Sequence, residues 1–287
     1  MRHIYTFLFL FLFSGVVVAD DYYEKGRSAY GSGQHEEAIN WFRKSAEAGY
    51  DKGQYAYGLV LYANGQAPIE QKTEALKWFR LAGEQGNPSA QYMVGYFYEN
   101  AEVVEQNYRT ALEWYLKAAN QGDLESANAA GKIYDAVAAA MGDQTEAKVY
   151  YEEAVYWYHQ AAKNGLSQAQ SNLGLMYLNG TGVDKDYKKA NDWWQLSAMQ
   201  GNARAMFNIG ASYANGLGVT RDLVEAYAWM YLANGGASFD FSGEQVRVDY
   251  SPQVAQLEAA LDQGSINQAR ARAEEIHAQI KAEMKNN

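Results

Sequence analysis

Apolar residues are distributed along this chain in two ways. From Ile4 to Val18 they form one run behind Met1, Arg2 and His3. Past residue 20 they return at helical spacing, in segments closed by glycine. The first pattern reads as a secretory leader, with a basic start, an apolar core and a small-residue exit at Val17-Val18-Ala19. The run falls short of the about 20 residues a bilayer-spanning helix needs. It predicts a signal peptide over residues 1–19, cleaved after Ala19, with an uncleaved N-terminal anchor as the alternative. No other stretch is long and apolar enough to span a bilayer, so no membrane insertion is expected after cleavage.

The second pattern is an internal repeat. Trp41, Trp78, Trp114, Trp157, Trp193 and Trp229 are spaced by 37, 36, 43, 36 and 36 residues. Three residues before each stands an alanine: Ala38, Ala75, Ala111, Ala154, Ala190 and Ala226. A large residue follows each Trp: Phe42, Phe79, Tyr115, Tyr158, Trp194 and Met230. Four residues after each Trp comes a small one, from Ser45 to Ala233. Alanine, Trp and small residue thus fall at i, i+3 and i+7, one face of a helix. Gly49, Gly86, Gly122, Gly165 and Gly201 close the first five copies and predict left-handed C-caps.

A second glycine series, Gly26, Gly58, Gly95, Gly131, Gly174 and Gly210, marks an earlier helix in each copy. This helix ends in turn chemistry at Asn64-Gly65, Asn179-Gly180 and Asn215-Gly216. Glycine inside a helix costs about 1 kcal/mol against alanine. Its recurrence predicts close approach, a bare position that admits a neighbouring backbone and a Trp ring. The six Trp residues are expected in the core.

Each copy is therefore a helix pair, with units near 20–49, 50–86, 87–122, 123–165, 166–201 and 202–236. Three depart from the pattern. The first has a tight turn at Gly31-Ser32-Gly33-Gln34-His35, the fourth carries seven extra residues within 136–149, and the sixth ends out of register at Asn234-Gly235-Gly236. Residues 237–287 read as a helical cap. Ala237 to Pro252 is irregular, with Phe239 and Phe241 tucked against the last unit. Helices are expected over Val254–Leu261 and Ile266–Ile280, the latter with a narrow stripe of Ile266, Ala269, Ala273, Ile276 and Ile280. A repeat array needs such a polar-faced end.

The run Ala169-Gln170-Ser171-Asn172-Leu173-Gly174-Leu175-Met176-Tyr177, then Gly180-Thr181-Gly182-Val183, then Ala190 to Gly201 resembles the Sel1-like repeat family, over roughly residues 22 to 236. The resemblance implies an all-α fold, a right-handed α/α superhelical solenoid of six Sel1-like helix pairs related to tetratricopeptide arrays. It also implies a non-enzymatic adaptor in bacterial envelope or signalling assemblies.

By analogy with tetratricopeptide arrays, the concave face is lined at −6, −3, +1 and +4 from the first-helix glycine. This selects Tyr23, Arg27 and Tyr30, then Tyr55, Leu59 and Tyr62, then Tyr92, Tyr96 and Glu99. In the fourth copy it selects Glu125, Asn128, Lys132 and Asp135. The last two copies contribute Ser171, Leu175 and Leu178, then Arg204, Phe207 and Ala211. The face is expected to be tyrosine-rich, then polar, then mildly apolar. Tyrosine offers contact area and a hydroxyl at small entropy cost, which suits a protein or peptide segment, with a glycan or peptidoglycan as the alternative ligand. The competing expectation is that these rings only stack between neighbouring first helices.

Composition narrows the class. Cysteine is absent, so no disulfide and no lipidation at the leader junction is available. The C-terminus is no retention tag, and a single glycosylation sequon stands at Asn179-Gly180-Thr181. Together these favour a bacterial periplasmic or secreted location. A formal net charge of −10 repels phosphate backbones and argues against nucleic acid. Past the leader the histidines are His35, His159 and His277, with no metal-ligand spacing. The motifs of zinc, serine and phosphate-loop enzymes are missing. Gly180-Thr181-Gly182 and Gly216-Leu217-Gly218 lie between helices, a weak setting for a phosphate loop. Neither catalysis, cofactor nor metal is expected, and a cell-envelope enzyme built on a carboxylate pair is the remaining alternative.

Overall fold

The computed structural model describes residues 18–63, 66–142, 144–235 and 249–286. These are helical throughout, without a strand. A first helix, α1, covers 18–31. It is followed by α2 (His35–Glu47), α3 (Asp51–Tyr62), α4 (Ile69–Glu84), α5 (Pro88–Glu99), α6 (Tyr108–Ala119), α7 (Leu124–Ala140) and α8 (Gln144–Lys163). The array continues with α9 (Ser167–Asn179), α10 (Tyr187–Ala198), α11 (Ala203–Asn215) and α12 (Leu223–Ala233), and ends in α13 (Ser251–Ala260) and α14 (Gln263–Asn286). The chain divides into two compact units, the first ending at Ala130 and the second beginning at Gly131, within α7.

In the first unit the helix glycines do admit a ring, but the ring belongs to the residue after the marker Trp. A Cβ on Gly26 would stand 2.6 Å from the Phe42 ring, and one on Gly58 or Gly95 would stand 2.7 Å from Phe79 or Tyr115. Phe42, Phe79 and Tyr115 are buried. The marker Trp residues do something else. Trp41 and Trp78 are half-buried. Their indole N–H groups donate to Glu37 and Glu74, one helical turn back, at 3.2 and 3.3 Å. The Lys44 ammonium lies 4.3 Å from the Trp41 centroid, a cation–π contact. Trp114 is buried, its ring 3.1 Å from where a Cβ on Gly83 would be, in the preceding second helix. It is a wedge between successive second helices.

A glutamine latch ties consecutive pairs. Gln91 of α5 donates to the Gly83 carbonyl of α4 at 2.9 Å and accepts from the Gln121 amide, beyond the end of α6, at 2.8 Å. Gln54 does the same with Ala46 and Gln85, at 3.4 and 2.7 Å. Each latch residue is buried and satisfied by hydrogen bonds from both neighbours, worth about 1 kcal/mol net per bond.

The second unit repeats the arrangement. Gly131 lies under Tyr158, Gly174 under Trp194 and Gly210 under Met230. Gln170 donates to the Ala162 carbonyl at 3.1 Å and accepts from Gln200 at 2.8 Å. The two Gly-x-Gly loops are packing devices. Gly182 and Gly218 have φ of 69° and 72°, and a Cβ on either would run into the Tyr151 or Tyr187 carbonyl of the preceding second helix. Both demands exclude other residues. In the fourth copy the extra residues replace such a loop with longer helices, 17 residues in α7 and 20 in α8.

The closing glycines hold φ between 85° and 100° from Gly49 to Gly201. The sixth copy ends on the same geometry two residues early, at Gly235 with φ 72°. Beyond it, α14 buries Ala269, Ala273, Ile276 and Ile280 in the core that α12 contributes to. The Arg272 guanidinium pairs with Glu225 of α12 at 2.7 Å, and Arg270 with Glu258 of α13 at 3.0 Å. Phe239 and Phe241 lie outside the described residues. The ring placed on the last repeat is Tyr250, stacked on Phe207 with centroids 4.4 Å apart.

Candidate functional site

The residues singled out on the first helices separate by unit and by depth. Tyr23, Tyr55 and Tyr92 occupy the same position, three residues before the glycine of α1, α3 and α5. Each packs one side on the ring that covers its own glycine: Tyr23 on Phe42 at 6.0 Å, Tyr55 on Phe79 at 5.9 Å and Tyr92 on Tyr115 at 5.6 Å. All three remain half-buried. Their hydroxyls form one row. Burial chiefly raises the Tyr55 pKa, with Asp123 and Tyr23 adding to it and a Ser89 hydrogen bond opposing. Burial pushes Tyr92 up to about 12, helped by Glu99, Glu125, Tyr96 and Asp123.

Further along the helices the side chains differ more. Arg27 is exposed and pairs with Glu24 at 3.3 Å. Tyr30 and Leu59 are 57% and 39% exposed. They border a hollow of about 450 Å3, to which His35, Ile39 and Val60 also contribute. Sequence reasoning missed this hollow, although Ile39 one turn after His35 on α2 gives it a signal. Tyr96 is half-buried, its ring edge-on to Tyr62 at 6.4 Å. Glu99 accepts from the Tyr115 hydroxyl at 2.6 Å.

Tyr62 belongs to the interior. It is 8% exposed, and its hydroxyl donates to Glu102 at 3.4 Å. Glu102 in turn pairs with Lys72 at 2.9 Å. Burial first, then hydrogen bonding and charge from Tyr96 and Glu102, drive its pKa up. Its place is thus in the packing between α3 and α5.

In the fourth copy Asn128 is half-buried in the first unit, while Lys132, exposed, and Asp135, half-buried, belong to the second. Burial raises the Asp135 carboxyl, and Arg204 opposes that rise. Among the described residues no His, Asp and Glu side chains gather as a metal site, and no helix is long and apolar enough to cross a membrane.

The comparisons with known proteins bear on this geometry. The Sel1 repeat profile matches residues 18–50, 51–87, 88–123, 138–166, 167–202 and 203–234. The chain belongs to the Sel1 repeat family. Its fourth Sel1 match starts only at residue 138, so most of α7 falls between matches. Among solved structures, a protective antigen present in uropathogenic Escherichia coli strains, described as displaying an SLR fold, is 30% identical with a TM-score of 0.75. The match covers 94% of this chain and 54% of that one, so the chain spans about half of that protein's length. A Sel1 repeat protein from Oxalobacter formigenes is 25% identical over 88% of this chain and 98% of its own, with a TM-score of 0.65. No curated protein matches the chain. The fold is that of a six-repeat Sel1 α-solenoid, and Sel1 repeats mediate contacts between proteins.

Proposed function

We propose that this Sel1 protein is an exported scaffold that holds a protein or peptide segment on the tyrosine-bearing face of α1, α3 and α5. One observation carries the reading: three consecutive first helices present tyrosine at the same position, with one ring side packed and the hydroxyls in a row. Rings held on one side lose little freedom when the other side is covered, which makes them economical contact residues. The hollow beside Tyr30 and Leu59 extends the same face with an apolar recess. Export rests on the leader-like first 19 residues, and the similarity to a protein described as a protective antigen is in keeping with it.

The test is affinity capture from a cell-envelope extract with the wild-type chain and with the double variant Tyr55→Ala/Tyr92→Ala. Circular dichroism and a melting curve establish that the variant is folded. The expected result is a set of partners that the variant loses. Identical partner sets, with the fold intact, contradict the reading. Co-sedimentation with purified sacculi that the variant also loses would move the ligand from protein to glycan.

A further inference from the structure

The second unit shows a ring seated on this position. Phe207 of α11 stands three residues before Gly210, the register of Tyr23, Tyr55 and Tyr92. Tyr250, which precedes α13, stacks flat on Phe207, with centroids 4.4 Å apart and planes 14° from parallel. Tyr250 is 7% exposed. Its backbone N–H donates to the Asn234 side chain at 3.0 Å, and Asn234 donates to the Ser251 hydroxyl at 3.1 Å. An aromatic side chain arriving from outside the repeats therefore fits this seat, with its own backbone fixed by side-chain amides. The charge bearing on the Tyr250 hydroxyl is cationic, from Arg204.

The three seats of the first unit have the same ring in the same register and the opposite charge. Glu99, Asp123 and Glu125 bear on the Tyr92 hydroxyl, and Asp123 on that of Tyr55. No lysine or arginine figures among those influences. Glu125 is exposed and Asp123 and Glu99 half-buried, so their charge is open to a partner. Such complementarity selects among partners more than it adds affinity.

From the seated Tyr250 and from these carboxylates we infer that the ligand of the first unit is a protein segment in which an aromatic residue lies next to a lysine or arginine, the aromatic ring stacking on Tyr55 or Tyr92 and the cation meeting Asp123 and Glu125. The inference rests on the scaffold reading above and names the chemistry of its ligand.

Fluorescence anisotropy with three labelled synthetic decapeptides tests it on the full mature chain. One alternates arginine and tyrosine with glycine, the second replaces arginine with aspartate, and the third replaces tyrosine with leucine. The arginine–tyrosine peptide is expected to bind at least about tenfold more tightly than either of the others. The variant Asp123→Asn/Glu125→Gln should weaken it about tenfold, at roughly threefold per exposed charge contact, and raised salt should do the same. Asparagine keeps the cap that Asp123 gives α7 through the Ser126 N–H, so this variant stays folded where removal of a tyrosine endangers the packing. Equal binding of the three peptides, no binding, or binding indifferent to Asp123→Asn/Glu125→Gln overturns the inference. If captured partners still depend on Tyr55 and Tyr92 while the arginine–tyrosine peptide neither binds nor displaces them, the scaffold reading stands and this ligand chemistry falls.

Discussion

At the scale of single residues, the first-helix glycines are defined by what a methyl group would strike. Gly95→Ala gains about 1 kcal/mol of helix propensity, but it drives a Cβ to 2.7 Å from the Tyr115 ring. Overpacking of this kind costs about 1–3 kcal/mol, so a net loss of stability is expected in urea unfolding. Gly31→Ala meets nothing within 4 Å and should be neutral or stabilising, by up to about 1 kcal/mol. Equal midpoints for the two variants would remove the close-approach explanation. The glycine register was legible in the sequence; its ring was not. Trp repeats without change, and that draws the eye. The residue after it varies as Phe, Tyr, Trp and Met, yet that is the residue under which each glycine sits. Two neighbours on a helix point about 100° apart, and only packing decides which one faces the partner helix.

At the scale of elements, the array is held by devices that composition hides. Gln91 and Gln121 read as surface residues, but they form a latch joining α4, α5 and the end of α6. A double-mutant cycle on Gln91→Ala and Gln121→Ala should give a coupling of about 0.5–1.5 kcal/mol; strict additivity would mean the latch is absent in solution. The cap helix α14 carries a different dependence. His277 is buried, and burial, then the Lys281 charge, lower its pKa below 6.5. The unfolded chain therefore takes up the proton first as pH falls. The stabilisation is fully present above pH 6.5 and is lost as pH drops through the lowered value. Unfolding midpoints measured between pH 7.5 and 5.5 should decline, and His277→Gln should flatten that decline. A variant with an unchanged slope would assign the dependence elsewhere. The apolar stripe of α14 was readable from its spacing. The seating of Tyr250 on Phe207 was not, because the partners are 43 residues apart and share no local pattern.

At the scale of the whole molecule, repetition and variation divide the work. What recurs, from the capping glycines to the bare helix positions, explains the Sel1 fold and could be read from the sequence by register alone. What varies lies on the other side of the first helices. Analogy to related arrays pointed to those positions, but it treated all of them as equally open. Tyr62 shows why that fails: Glu102 and Lys72, 40 and 10 residues away in sequence, draw its hydroxyl into the interior. The positions left open are the row of Tyr23, Tyr55 and Tyr92 and the recess at Tyr30 and Leu59. Site-specific photo-crosslinking tests that account most directly, with a benzophenone amino acid placed at Leu59 on this face or at Leu81 on the second helix α4, both exposed to a similar degree. The account predicts a discrete crosslinked product from position 59, lost in Tyr55→Ala/Tyr92→Ala, and none from position 81. Crosslinking from 81 alone, or from 59 undiminished by the tyrosine variant, would contradict it.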